Sequence, residues 1–167
     1  MSAVVRPART RDVTAIRRLV DLYAPQRILL NKPTVTLYED VQEFLVAEGP
    51  AGDVVGCGAL HVMWEDLAEV RTLAVDPAVK GEGVGHLLLE RLLDRARDLG
   101  VRRLFCLTFE VEFFGRHGFQ EIDGIPVGHD VYDELLRSYD EGVAEFLALE
   151  HVKPNILGNT RMVLELS

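Results

Sequence analysis

The sequence predicts a mixed α/β sheet, largely antiparallel, flanked by helices and built around one central βαβ unit. An apolar strand ending at Val75 runs through Pro77 into glycines at alternate positions, Gly81, Gly83 and Gly85, and then into an amphipathic helix. A buried strand, RLFCLT (103–108), comes next, which completes the strand–helix–strand order. Ahead of that unit, apolar segments separated by turn residues read as an antiparallel run.

Each element has a local reason. VVRPA (4–8) is a short strand, and Thr10 is the expected N-cap of a helix with Val13, Ile16, Leu19, Val20 and Tyr23 on one face. Residues 25–33 are a loop carrying Arg27, Asn31 and Lys32, followed by a short helix over 37–42. Strands are expected at 44–48, 54–63 and 69–75, with GPAGD (49–53) as a turn. The 54–63 strand is a nearly continuous apolar run, which suits cover on both faces. A helix over 83–99 aligns Val84, Leu87, Leu88, Leu92 and Ala96, and Gly100 is its stop. A short helix at 112–117, a strand at 118–122, helices at 131–138 and within 140–149, and a strand at 160–166 complete the chain.

The 167 residues make one domain, 1–167, large enough to bury roughly two-thirds of its unfolded surface. Apolar residues are 48% and charged residues 27%, the balance of a globular protein. No apolar run reaches the ~20 residues a bilayer span needs, and MSAVVRPARTRD lacks a signal-peptide core. A cytoplasmic protein with no membrane partner is the expectation. Cys57 and Cys106 are isolated, so neither a disulfide framework nor a metal site is expected. A net charge of −9 without a Lys/Arg cluster argues against a nucleic-acid partner. In so acidic a chain, isolated cations near a site become informative.

The glycine loop itself points to an anion. Glycines at alternate positions clear side chains away, and successive N–H groups at a helix N-terminus favour a pyrophosphate. A dinucleotide fingerprint would need a third glycine at His86, and a P-loop would need Lys-Ser/Thr after Gly85, where His86 and Leu87 stand. The plain alternative is a flexible turn.

LAVDP followed by Lys80-Gly81-Glu82-Gly83-Val84-Gly85, with FFGRHGF (113–119) downstream, resembles the acetyl-CoA loop and C-terminal landmark of the GNAT N-acetyltransferases. Lys80 departs from the family's usual Gln or Arg but keeps a cation. The resemblance implies the GNAT fold and acetyl-CoA as cosubstrate. It implies contacts from Leu73, Ala74, Val75, Lys80, Gly81, Glu82, Gly83, Val84, Gly85, His86 and Phe114. VVGCGAL (54–60), AEVRTLAVDP (68–77), LFCLTFEVEFFGRHGF (104–119), KPNILGNTRM (153–162) and VTLYEDVQEF (35–44) narrow the likeness to short N-acetylglutamate synthases. Those enzymes move acetyl from acetyl-CoA to the α-amino group of L-glutamate, the first step of arginine biosynthesis; glutamine is left open.

That likeness implies Glu69 as general base, the Leu73 amide as oxyanion donor, and Thr108 as a group that protonates or orients. The bland alternatives are a solvated strand-end glutamate and a buried strand threonine. Glu110 and Glu112 are runner-up carboxylates with the look of helix-start residues. Phe114 stands where many GNATs place a tyrosine acid. Substrate carboxylates are assigned to Asn31 and Lys32 in the early loop, Thr160 and Arg161 on the closing strand, and Arg71 beside Glu69. His61 and His117, without a neighbouring acid in sequence, read as packing residues. Segment 129–152 reads as a helical flap or a homodimer surface. The rivals are a GNAT acting on another small amine or a protein N-terminus, and a non-enzymatic acyl-CoA sensor.

Overall fold

The computed structural model describes residues 2–23, 32–147 and 159–167. Strands β1 (Val4–Pro7), β2 (Phe44–Glu48), β3 (Val54–Trp64), β4 (Leu67–Val75), β5 (Arg103–Thr108), β6 (Gln120–Glu121) and β7 (Thr160–Glu165) form one sheet. Its order is β1-β2-β3-β4-β5-β7-β6. Only β4 and β5 run parallel, and the helix joining them makes the expected βαβ unit.

The first helix, α1 (Val13–Tyr23), buries the whole predicted face. Its start differs from the expectation. Thr10 lies inside a 3₁₀ turn, Thr10–Asp12, and Arg9 is the cap residue. The buried Asp12 carboxylate accepts the Arg9 amide at 2.7 Å and pairs with Arg6 at 2.8 Å, so an acid with two partners displaces a threonine cap. α2 (Thr34–Glu39) follows a few residues earlier than expected and tucks Leu37 into the same core.

α3 (Val84–Leu99) and α4 (Val111–Arg116) cover one face of the sheet. α3 rests close because Gly56 and Gly58 carry no side chain. A Cβ there would stand 2.9 Å from Leu88 and 3.0 Å from Leu92. The other face is shared. α1 and α2 pack on Val46, Cys57 and Ala59, while α5 (His129–Leu135) and α6 (Glu141–Phe146) pack on Leu67 and Phe105. Between those two groups of helices the register pairs Ala59 with Arg71 and His61 with Glu69, so this gap in the apolar cover is lined by polar side chains.

Two irregularities in β4 shape the site. Its parallel pairing with β5 ends at Glu69 opposite Phe105. Beyond that rung β4 stays with β3 as far as Gly56–Val75, and β5 stays with β7 as far as Thr108–Thr160. The strands therefore part in the middle of the sheet and leave facing edges unpaired, a position where backbone groups call for a partner. In addition, β4 advances from Arg71 to Ala74 while β3 moves only from Ala59 to Cys57. The extra residue sits at a bulge where Thr72 has φ 56°, an uncommon conformation for a β-branched residue.

Three expectations change in length. The 118–122 strand shrinks to Gln120–Glu121, because Gly118 turns with φ 95° and the Ile122 amide bonds to Arg161 just past the pairing. The 131–138 helix starts at His129 and ends at Leu135. Among the described residues, the expected helix within 140–149 is the short α6, opened by Asp140, whose carboxylate accepts the Val143 amide at 2.9 Å. The expected flap is thus packed onto the sheet as far as residue 147; 148–152 lie outside the described residues. No helix among the described residues is long and apolar enough to cross a membrane.

Candidate active site

A cleft of about 510 Å³ follows the parting of β4 and β5 and ends at the glycine loop. At the loop end, Gly81 and Gly83 both have φ 85°, and a Cβ on either would meet nothing within 4 Å. The glycines are there for backbone conformation and open approach. The first helical bond of α3 runs from the Leu87 amide to the Gly83 carbonyl at 3.0 Å, which leaves the amides of Val84, Gly85 and His86 without intrahelical acceptors. These N–H groups and the positive end of a 16-residue helix suit a pyrophosphate.

Lys80, Gly81, Gly83, Val84, Gly85, His86 and Phe114 all line the cleft, as do Leu73, Ala74 and Val75. Glu82 is not among the lining residues; its amide bonds to the Val79 carbonyl at 3.3 Å and its side chain is exposed. Lys80 Nζ stands 5.6 Å from the Tyr23 ring centre, and the Tyr23 hydroxyl donates to the Val75 carbonyl at the cleft wall. Phe114 is buried, edge-on to Phe113 and Phe119. His117, read as packing, bonds to His86 at 2.8 Å, and burial together with the His86 charge pulls its pKa down.

Midway along the cleft, the bulge aims one amide. Thr72's carbonyl accepts from Cys57 Sγ at 3.4 Å on the β3 side. Across a trans peptide the next N–H points the opposite way, so the Leu73 amide faces the open edge of β4. Burial raises the Cys57 thiol to about 12, which keeps it a donor. Thr108 closes the facing edge; it is buried, and its Oγ1 accepts the Glu110 amide at 2.8 Å, leaving the hydroxyl proton to give. Glu110 itself is exposed at the cap of α4, and Glu112 is exposed in its first turn.

At its other end the cleft meets Arg71, which belongs to a buried cluster of side chains. Glu69 is 5% exposed and its Oε1 accepts Arg71 Nε at 2.9 Å and Nη2 at 2.6 Å. Arg71 Nη1 bonds to Asp140 Oδ2 at 2.9 Å. Burial opposes the Arg71 charge, but Glu69 and Asp140 outweigh it and raise its pKa. Arg71 pulls Asp140 down to about 2 against its burial. His61 lies 3.9 Å from Asp140 and 2.8 Å from Glu43, so acids distant in sequence do reach it, contrary to expectation. The expected carboxylate clamp at Arg71 is therefore already engaged by the protein.

Lys32 and Arg161 differ. Lys32 is 8% exposed and, among the described residues, has no salt-bridge partner; burial and the Arg71 charge lower its pKa. Arg161 lies over Phe105 at 5.1 Å and Phe146 at 5.8 Å, and donates to the carbonyls of Gly124 and Phe146. Burial lowers its pKa too. Thr160 is half-buried opposite Thr108. Asn31 lies outside the described residues. Tyr23 lines the cleft and Asp140 pairs with the lining residue Arg71, neither having been singled out in sequence. Only the periodic face of α1 carried any signal for them, at Tyr23.

The family model for the acetyltransferase (GNAT) family matches residues 15–119. The chain belongs to the GNAT acetyltransferase family. Among its GNAT relatives, the amino-acid acetyltransferase of Mycobacterium tuberculosis is 66% identical over 165 residues, covering 98% of this chain and 94% of the relative. A crystal structure from M. tuberculosis in complex with CoA and NLQ superposes with a TM-score of 0.95 at 65% identity, over 98% of this chain and 99% of that one. N-acetylglutamate synthase of Neisseria gonorrhoeae, complexed with coenzyme A and N-acetyl-glutamate, gives a TM-score of 0.79 at 26% identity. This chain spans 36% of that larger one. The seven-stranded mixed sheet flanked by helices matches the GNAT fold. Among the described residues no group of three or more His, Cys, Asp or Glu could hold a metal.

Proposed function

We propose that the chain transfers acetyl from acetyl-CoA to the α-amino group of an amino acid, L-glutamate first and L-glutamine second. The observation that carries this reading is Lys32, a buried ammonium that forms no salt bridge among the described residues, with Asp140, Asp40 and Glu69 acting on it only at longer range. Burying an unpaired charge is costly, and a ligand carboxylate would relieve the cost. Arg161 supplies a second cation whose partners are carbonyls. Two such cations suit the two carboxylates of glutamate; glutamine would leave one of them uncompensated. The M. tuberculosis relative's name supports an amino-acid acceptor, and that of the N. gonorrhoeae N-acetylglutamate synthase supports glutamate.

The geometry gives each group a task. Pyrophosphate oxygens accept from the amides at the start of α3, and the pantetheine arm lies along the open edge of β4. The thioester carbonyl then lies within reach of the Leu73 amide, which stabilises the oxyanion as the amine attacks. The departing thiolate has a pKa of roughly 8.5, so it leaves readily, and the Thr108 hydroxyl can hand it a proton. Glu69 and Arg71 hold the acceptor end in shape and set its charge.

Thiol release measured over glutamate, glutamine, other amino acids and short peptides tests this reading. The expected result is the highest kcat/KM for glutamate. Turnover confined to peptide N-termini or to unrelated amines would overturn it.

A further inference from the structure

We propose that Tyr23, the last residue of α1, is a positioning residue for acetyl-CoA: its ring holds the Lys80 ammonium at the glycine loop, where it meets a phosphate of the cofactor. The inference concerns the acetyl-CoA end of the cleft and holds whichever amine is the acceptor. Tyr23 and Lys80 both line the cleft, as does Val75 at the end of β4. Lys80 Nζ stands 5.6 Å from the Tyr23 ring centre, inside the range where a ring face attracts a cation. Among the described residues Lys80 forms no salt bridge, so the ring is the partner its ammonium has within the protein.

The sheet fixes the ring. Gly56 and Val75 face each other across β3 and β4, and the Asp76 amide bonds to the Val55 carbonyl at 2.8 Å. That pattern makes Gly56 and Val75 a non-hydrogen-bonded pair, whose own carbonyls point away from the neighbouring strand. The Val75 carbonyl therefore faces the open edge of β4, and the Tyr23 hydroxyl donates to it there. Burial first, and the Asp76 charge second, raise the Tyr23 pKa, so the hydroxyl keeps its proton to give. Earlier on α1, Arg18 donates to Asp76 Oδ2 and to the Val54 carbonyl, both at 3.0 Å. The Ala78 amide donates to Asp76 Oδ1 at 2.9 Å. Two side chains thus tie α1 to the point where β4 becomes loop. Both Asp76 oxygens are engaged in that tie, which leaves Lys80 to the ring.

A lysine on an exposed loop is a point charge on a flexible stem, and ordering that stem costs entropy when a ligand arrives. Over an anchored ring part of the ordering is already done. The α3 amides bind through dipoles, whereas Lys80 adds a full charge and a charge-assisted bond. That charge counts in a chain of net charge −9, which otherwise repels a polyanion. The pyrophosphate and the 3′-phosphate of the cofactor offer the same chemistry to an ammonium, and removing the 3′-phosphate separates them.

The test is a double-mutant cycle of Tyr23→Leu and Lys80→Met, read as the CoA Kd in titration calorimetry with no acceptor present. Lys80→Met should weaken CoA about tenfold and Tyr23→Leu about threefold. In the Lys80→Met background Tyr23→Leu should cost almost nothing further, since the ring then has no cation to hold. In steady-state turnover the Tyr23→Leu loss should fall on acetyl-CoA KM far more than on kcat. Dephospho-CoA locates the contact: a Lys80→Met penalty that persists places the ammonium on the pyrophosphate, and one that vanishes places it on the 3′-phosphate. A Tyr23→Leu penalty of the same size with and without Lys80, or no Lys80→Met penalty with either ligand, would overturn the assignment. If Tyr23→Leu does not fold, proton NMR of the wild type decides, with the Lys80 resonances identified by their loss in Lys80→Met. An upfield ring-current shift of the Lys80 ε-methylene supports the role, and a random-coil position overturns it.

Discussion

The two ends of the cleft are built on opposite plans. The acetyl-CoA end is backbone: consecutive amides at the start of α3, released by two glycines with φ 85°. The proposed amino-acid end is side chain, a buried cluster drawn from β3, β4, β7, the segment before α2, and α6 that meets the cleft at Arg71. A backbone site tolerates change in its neighbours and binds a group every family member shares. A side-chain site ties its parts to one another, so each substitution there tests stability and selectivity together.

The largest expected effect breaks the side-chain plan. Arg71→Ala leaves Glu69 buried without its partner, a loss of about 3–5 kcal/mol in chemical denaturation. The loop should be untouched, so acetyl-CoA affinity measured below the transition should persist. A stable Arg71→Ala protein would mean that the ion pair is ornamental. The middle effect breaks the backbone plan. Gly83→Val forces a β-branched residue to positive φ at a cost of roughly 1–2 kcal/mol and fills the ligand's approach. Acetyl-CoA KM should rise more than tenfold, read from initial rates at saturating glutamate, and glutamate KM should stay near wild type.

The smallest effect sharpens the comparison through pH. Asp140 is held at about 2 in the folded protein against an ordinary 3.8. A depressed carboxylate contributes stability above its unfolded pKa, and that contribution fades as pH falls toward its folded pKa. Asp140→Asn should therefore melt below wild type at neutral pH, with the difference closing as pH approaches about 2. A difference independent of pH in calorimetry would assign the loss to the α6 cap alone.

The same division explains what the sequence could and could not reveal. The loop, α3 and β5 were legible because their signals are local: glycine spacing, a 3.6-residue apolar period and an apolar strand. Glu69 and Thr108 could be placed by resemblance, but nothing local says that Arg71 is engaged by Asp140, 69 residues away. His61 looked isolated for the same reason, since its acids come from positions 43 and 140. α6 has six residues, too few for a clear period, so its packing beside Arg71 gave no signal. Thr72 at φ 56° had none either, because that conformation is imposed by the β3–β4 register.

The central claim is that cations at the side-chain end, chiefly Lys32, hold the amino acid while the backbone end holds acetyl-CoA. Steady-state kinetics of Lys32→Met, varying each substrate in turn, tests it most directly. A lost charge-assisted contact of about 1.5–3 kcal/mol predicts a roughly 10- to 150-fold rise in glutamate KM, with acetyl-CoA KM unchanged. An unchanged glutamate KM, or equal rises for both substrates, would contradict it.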